Sequence, residues 1–160
     1  MARIIYGGNH PLVQCTNHVK DRWLVLWNEE EGKDGGLSYM SETFDHKPTL
    51  QEVKDVINDY INDKVNEEIY SGLVVDSNIV YLSLENQINY KSAYDLAYQT
   101  NGKNLPQTFK FGEDYYKVFN TLEELEEFYL KVRNHIDSCL DKGWQAKTSV
   151  DYSKYEELLN

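Results

Sequence analysis

Basic side chains are scarce in this sequence. Sixteen Lys and Arg stand against 27 Asp and Glu, a formal net charge of −11. A nucleic-acid binder needs a basic footprint to neutralise phosphates. No Lys/Arg cluster is present, so neither DNA nor RNA binding is expected. The same field disfavours an anionic membrane surface. Cysteine is nearly absent, with only Cys15 and Cys139. Two distant cysteines make no disulfide framework and fit a reducing compartment. No apolar run approaches the roughly 18 residues of a transmembrane helix. The opening stretch MARIIYGGNHPLV lacks the long apolar core of a secretion signal. Catalytic signatures are missing as well. There is no G-x-S-x-G, and Gly32-Lys33-Asp34-Gly35-Gly36 lacks the order of a phosphate-binding loop.

Aromatics, in contrast, are plentiful, with 13 Tyr among 160 residues. Tyr buries a ring while keeping a hydroxyl for water or a partner. The length suits one domain with an appended arm and is enough for a real core.

Residues 1–48 have an irregular texture, read as an N-terminal arm or small β element. Arg3 to Tyr6 and Leu37 to Phe44 are short strand candidates, and Arg22 to Trp27, RWLVLW, gives the strongest strand signal. Glu29 to Gly36 is expected to be a charged loop. From Pro48 the pattern sharpens into an α+β domain over 49–148. Thr49 and Glu52 form a capping box. Val53, Val56, Ile57, Tyr60, Ile61 and Val65 then follow helical spacing to about Gly72. Leu73 to Leu82 reads as a hairpin turning at Asp76-Ser77-Asn78. Ser83 caps a central helix over 84–100. A second hairpin spans 107–119. Thr121 and Glu124 make another capping box, opening a helix whose stripe is Leu125, Phe128, Tyr129, Val132, Ile136, Cys139 and Leu140. Gly143-Trp144 is expected to close it. Residues 149–160 form an acidic C-terminal tail with helical potential. The fold expected is therefore α+β: three helices alternating with two β-hairpins, preceded by an irregular β-containing N-terminal arm.

The central helix carries the sharpest local feature. Asn86, Tyr90, Ala93, Tyr94 and Ala97 share one face, and Gln87 borders it. An unpaired buried amide costs about 1–3 kcal/mol, so Asn86 and Gln87 are expected to be largely buried and bonded to backbone groups of adjacent loops. With Tyr90 and Tyr94 they form a structural polar cluster. His10, Cys15 and His18, with Asp21 as a fourth, contain soft metal ligands. Their H-x4-C-x2-H spacing fits no standard zinc module, and no metal or other cofactor is expected. Glu123, Glu124, Glu126 and Glu127 crowd one helix start and read as a solvated face rather than paired catalytic carboxylates. No catalytic residue is assigned. Trp23 and Trp27 lie four apart on one strand face, open to either a core or an interface reading.

Several motifs occur in a familiar order. They are Ser71-Gly72-Leu73-Val74-Val75, Leu82-Ser83-Leu84-Glu85-Asn86-Gln87-Ile88-Asn89-Tyr90, Thr108-Phe109-Lys110-Phe111-Gly112, Glu124-Leu125-Glu126-Glu127-Phe128-Tyr129 and Gly143-Trp144. Over residues 55–150 they resemble a domain of unknown function of bacteriophage and prophage genes encoded near tail fibres, in the version found in phages of gut Bacteroides-type bacteria. The resemblance implies a virion structural or adaptor role, with other phage structural proteins as partners. It implies a place in the virion, and in the host cytoplasm during assembly. The alternative is a tail-fibre assembly chaperone that leaves the particle. Self-association is left open. On this reading the arm docks to a neighbour by adding RWLVLW to its sheet, with Trp23, Leu24, Leu26 and Trp27 as the partner-binding side chains.

Overall fold

A computed structural model describes residues 2–160. It is α+β and divides into two compact units. The first is Met1–Asn62 with Ala146–Asn160, and the second is Asp63–Gln145. The expected boundary at residue 48 is not where the chain divides. The helix that starts beyond Pro48 gives its first half to the N-terminal unit.

In the first unit, residues 3–44 form the small β element of the two readings, a regular four-stranded sheet. Strands β1 (Arg3–Gly7), β2 (Val13–Asn17), β3 (Arg22–Glu31) and β4 (Leu37–Phe44) pair antiparallel in the order β1-β4-β3-β2. The Glu29–Glu31 run, expected in a loop, extends β3 instead. Only the glycine-bearing segment turns, with Gly35 at φ +77° and the Gly32 N–H donating to Gly36 at 2.7 Å. The register slips between Trp27 and Glu30, where Asn28 takes the left-handed φ of +53°. Val13, Val25 and Trp27 meet Val53 and Ile57 from helix α1 (Leu50–Ser71) and Tyr155 from helix α4 (Ser153–Leu159) in one core. The acidic tail is thus an ordered part of this unit. Its Tyr155 is 4% exposed. The capping box at the start of α1 is reciprocal. Thr49 N–H donates to Glu52 Oε2 at 2.8 Å, and Glu52 N–H donates to Thr49 Oγ1 at 3.2 Å.

The second unit follows the expected alternation. Hairpin β5 (Leu73–Val75) and β6 (Asn78–Val80) turns through Asp76 and Ser77 at φ +49° and +63°, the positive pair of a type I′ turn. Helix α2 (Leu84–Thr100) starts at Ser83, whose hydroxyl accepts the Asn86 N–H. Hairpin β7 (Gln107–Phe111) and β8 (Tyr115–Phe119) follows. Helix α3 (Leu122–Ser149) begins with Thr121 Oγ1 accepting from Glu124 N–H at 3.2 Å. It does not end at Gly143-Trp144 as expected. Gly143 takes a buried place on the apolar stripe, so the helix gains from passing it despite its poor propensity. The core is aromatic. Phe128 meets Phe119 at 5.0 Å, Phe111 at 5.2 Å and Tyr90 edge-on at 5.0 Å between ring centroids. Cys139 is buried here as the small core residue expected.

Candidate functional site: an open sheet edge and a self-neutralised cleft

The two edges of the four-stranded sheet differ. β2 carries a register shift between Cys15 and Asn17, and the Thr16 hydroxyl donates to the Arg22 carbonyl at 3.2 Å. Such a bulge twists an edge away from further pairing. β1 has none. It runs in unbroken register against β4, from Arg3 opposite Ser41 to Gly7 opposite Leu37. Its outer flank faces no strand of the sheet. Ile4 and Tyr6 stand on one face, 58% and 78% exposed, while Ile5 turns to the other face opposite Tyr39. This five-residue edge carries two large exposed apolar side chains and Arg3, with no proline, lysine or register shift to blunt it.

The expected partner-binding strand is placed elsewhere. β3 is hydrogen-bonded to β2 on one side and β4 on the other, so it cannot add to a foreign sheet. Leu26 and Trp27 are buried and Trp27 packs edge-on against Tyr60 at 5.8 Å. Trp23 and Leu24 are half-buried. Trp23 Nε1 donates to Asp21 at 2.7 Å, and the Lys47 ammonium lies 5.8 Å over its ring. Of the two readings left open for the tryptophans, the structure takes the core. Ten apolar-rich residues gain more as the central strand, covered on one face by α1, than as an edge.

The polar cluster on α2 forms as paired groups. Asn86 Nδ2 donates to the Tyr81 carbonyl at 2.9 Å, and Gln87 Nε2 donates to the Leu82 carbonyl at 2.7 Å. Both amides tie the helix start to the chain leaving β6. They are half-buried rather than largely buried, because the first turn of α2 reaches the surface. Tyr90 is buried; Tyr94 stacks on Tyr129 at 5.0 Å and its hydroxyl donates to Glu126 at 3.2 Å. The soft-ligand residues His10, Cys15 and His18 form no metal-binding cluster; none of three or more His, Cys, Asp or Glu occurs among the described residues.

A polar cleft of about 230 Å³ in the second unit is lined by Asp76, Lys117, Glu124, Glu127 and Lys131. Each carboxylate has a local partner. Lys117 Nζ donates to Asp76 at 2.7 Å, Glu124 accepts the Asn120 N–H at 2.8 Å, and Lys131 Nζ lies 3.2 Å from Glu127. The Lys117 hydrogen bond holds the Asp76 carboxyl below its ordinary range, and Asp76 raises the Lys117 ammonium. Both shifts lead away from neutrality, the opposite of what a proton-transfer pair near pH 7 needs. The pair is 41 residues apart in sequence and nothing local announced it. The β1 edge had a signal that went unread. It lies in residues 2–20, the longest stretch free of Asp and Glu.

No helix of the described residues is long and apolar enough to cross a membrane. No curated protein and no solved structure matches the chain. Residues 52–158 match the model of a domain of unknown function, DUF4376, and the chain belongs to that family.

Proposed function

We propose that this protein is a structural or adaptor component of a bacteriophage particle, related to the tail or its fibres. It makes its contacts through the N-terminal β element and performs no catalysis. The motif order over residues 55–150 points to the phage version of the family, as found in gut Bacteroides-type phages. The observation that carries the binding role is the open β1 edge, with Ile4 and Tyr6 exposed on one face, in contrast to the bulged β2 edge on the opposite side of the sheet. A soluble monomer ordinarily blunts both edges. The self-neutralised Asp76–Lys117 cleft favours a binding protein over an enzyme. On this reading the protein is made in the host cytoplasm and ends in the virion, beside other phage structural proteins. Mass spectrometry of purified virions tests it. The protein is expected in intact particles at a fixed ratio to a tail protein. Its presence in lysates but not in particles would overturn the structural role and favour an assembly chaperone.

A further inference from the structure

We propose that β1 pairs with β1 of a second copy of this chain, antiparallel about a two-fold axis through Ile5. This rests on the reading of the N-terminal element as the contact surface and names its occupant. Two four-stranded sheets then become one continuous sheet.

The sequence of the strand is complementary to itself. In an antiparallel pair centred on Ile5, Ile4 falls opposite Tyr6 of the second copy, and Tyr6 opposite its Ile4. Arg3 falls opposite Gly7. Ile4 and Tyr6 share a face, since they stand against Met40 and Ser38 of β4. The dimer therefore gains two aromatic–β-branched pairs directly opposite each other, a favoured cross-strand combination. A shift of the centre by one residue breaks this match and sets Tyr6 against Ala2 or against Tyr6 of the second copy. Parity does not matter to the ladder. Whichever residues of β1 present their outward N–H and C=O groups, both strands present them at the same positions.

Charge permits the same occupant. A chain of net charge −11 repels its own copies over most of its surface. The first Asp or Glu is Asp21, and residues 2–20 carry only Arg3 and Lys20 as charges. Self-pairing along β1 thus joins two copies where like charges do not face each other. Tyr6, 78% exposed in one copy, is covered by Ile4 of the other.

The test is sedimentation equilibrium of the full chain. The wild type is expected to dimerise. Tyr6→Lys, which places a lysine on each side of the two-fold, is expected to weaken the dimer at least about tenfold. Val19→Lys, at a residue 96% exposed outside β1, is expected to leave it unchanged. Far-ultraviolet circular dichroism checks that each variant is folded. The register is read separately by Ile5→Cys in a Cys15→Ser background. Only a two-fold through residue 5 brings that thiol to its own copy, so oxidation is expected to give a covalent dimer, and Val19→Cys is expected to give none. A chain that stays monomeric across the concentration series overturns the proposal. So does a dimer indifferent to Tyr6→Lys, or one without the residue-5 cross-link. A monomer that still enters virions, and fails to enter as Tyr6→Lys, means that a strand of another virion protein fills the edge. That overturns the second copy and leaves the proposed function standing. A dimer with the residue-5 cross-link that is absent from virions does the reverse.

Discussion

The hydroxyl of Tyr155 donates to the backbone carbonyl of Leu26 at 2.8 Å, joining residues 129 apart in sequence. Burial pushes the Tyr155 phenol up to about 12, so the donor keeps its proton throughout the neutral range. The bond satisfies a carbonyl in the buried middle of β3 and fixes α4 over the core of Val13, Val25, Trp27, Val53 and Ile57. Tyr155→Phe keeps the ring and strands the carbonyl, an expected loss of about 1–3 kcal/mol in urea unfolding. Tyr155→Ala removes the ring too and is expected to cost about 3–5 kcal/mol. A Tyr155→Phe variant with the wild-type midpoint would show that the carbonyl finds water instead.

The amides at the start of α2 are expected to matter unequally. Asn86 bonds to Tyr81 at an exposed position, so water can replace it. Gln87 bonds to Leu82 at a partly buried one, and Leu82 itself is fully buried. Asn86→Leu is therefore expected to cost about 0.5–1.5 kcal/mol, the net worth of an ordinary hydrogen bond, and Gln87→Leu about 1–3 kcal/mol. Chemical denaturation of the two variants gives the order, and the reverse order contradicts the role assigned to burial.

Gly72 ends α1 at φ +83°. A Cβ there would lie 1.9 Å from the Val80 carbonyl oxygen and 2.7 Å from its carbon. Both are backbone atoms, so no rotamer change makes room. Gly102 has nearly the same φ, +80°, but its added Cβ would meet only the Leu105 side chain at 3.3 Å. Gly102→Ala is expected to cost about 1 kcal/mol through backbone strain, and Gly72→Ala at least about 3 kcal/mol. Thermal unfolding of the two variants separates strain from collision. Equal losses would mean that β6 shifts freely away from the helix end.

Local patterns were legible and distant ones were not. The Thr49–Glu52 capping box, the Thr121 cap, the Asp76-Ser77 turn and the stripe from Leu125 to Leu140 are set by neighbours within a few residues, and the structure has them where the pattern puts them; only the Glu124 carboxylate departs, accepting the N–H of Asn120 instead of that of Thr121. The paired state of Asn86 and Gln87 followed from the cost of leaving an amide unpaired, but not their half-exposure. The part missed was the assembly of residues 1–48. RWLVLW is a strand on any reading. Whether it lies at the centre or the edge depends on Val13–Asn17, a polar, weakly patterned segment that becomes β2 only because β3 is there to pair with it. The same holds for Tyr155. Its helix is too short to be stable alone, and the contact with Leu26 is not written in either local sequence.

The last prediction concerns pH. His46 sits between two carboxylates, with Nδ1 2.9 Å from Asp45 and Nε2 2.9 Å from Glu52. Hydrogen bonds to Asp45 and then to Glu52 raise its pKa above the ordinary 6.5. Glu52 is lowered from 4.5 to about 2, first by the Thr49 backbone N–H it accepts and then by His46, and the His46 hydrogen bond lowers Asp45 from 3.8. The two kinds of shift act at opposite ends. A raised histidine pKa means that the folded state holds the proton more tightly. That stabilisation is full below pH 6.5 and is lost as pH rises through the folded value. The lowered carboxylates stabilise above their unfolded values and lose that contribution as pH falls toward about 2. Both contributions are present together between pH 4.5 and 6.5. Amide exchange at the start of α1 is therefore expected to be slowest in that window, after correction for intrinsic rates. His46→Gln is expected to flatten the alkaline limb. The acid limb should survive, because the Thr49–Glu52 capping box needs no histidine. Proton NMR of the His46 ring gives the direct check. Titration in the folded protein at or below 6.5 would mean that the imidazole is not held between the two carboxylates in solution.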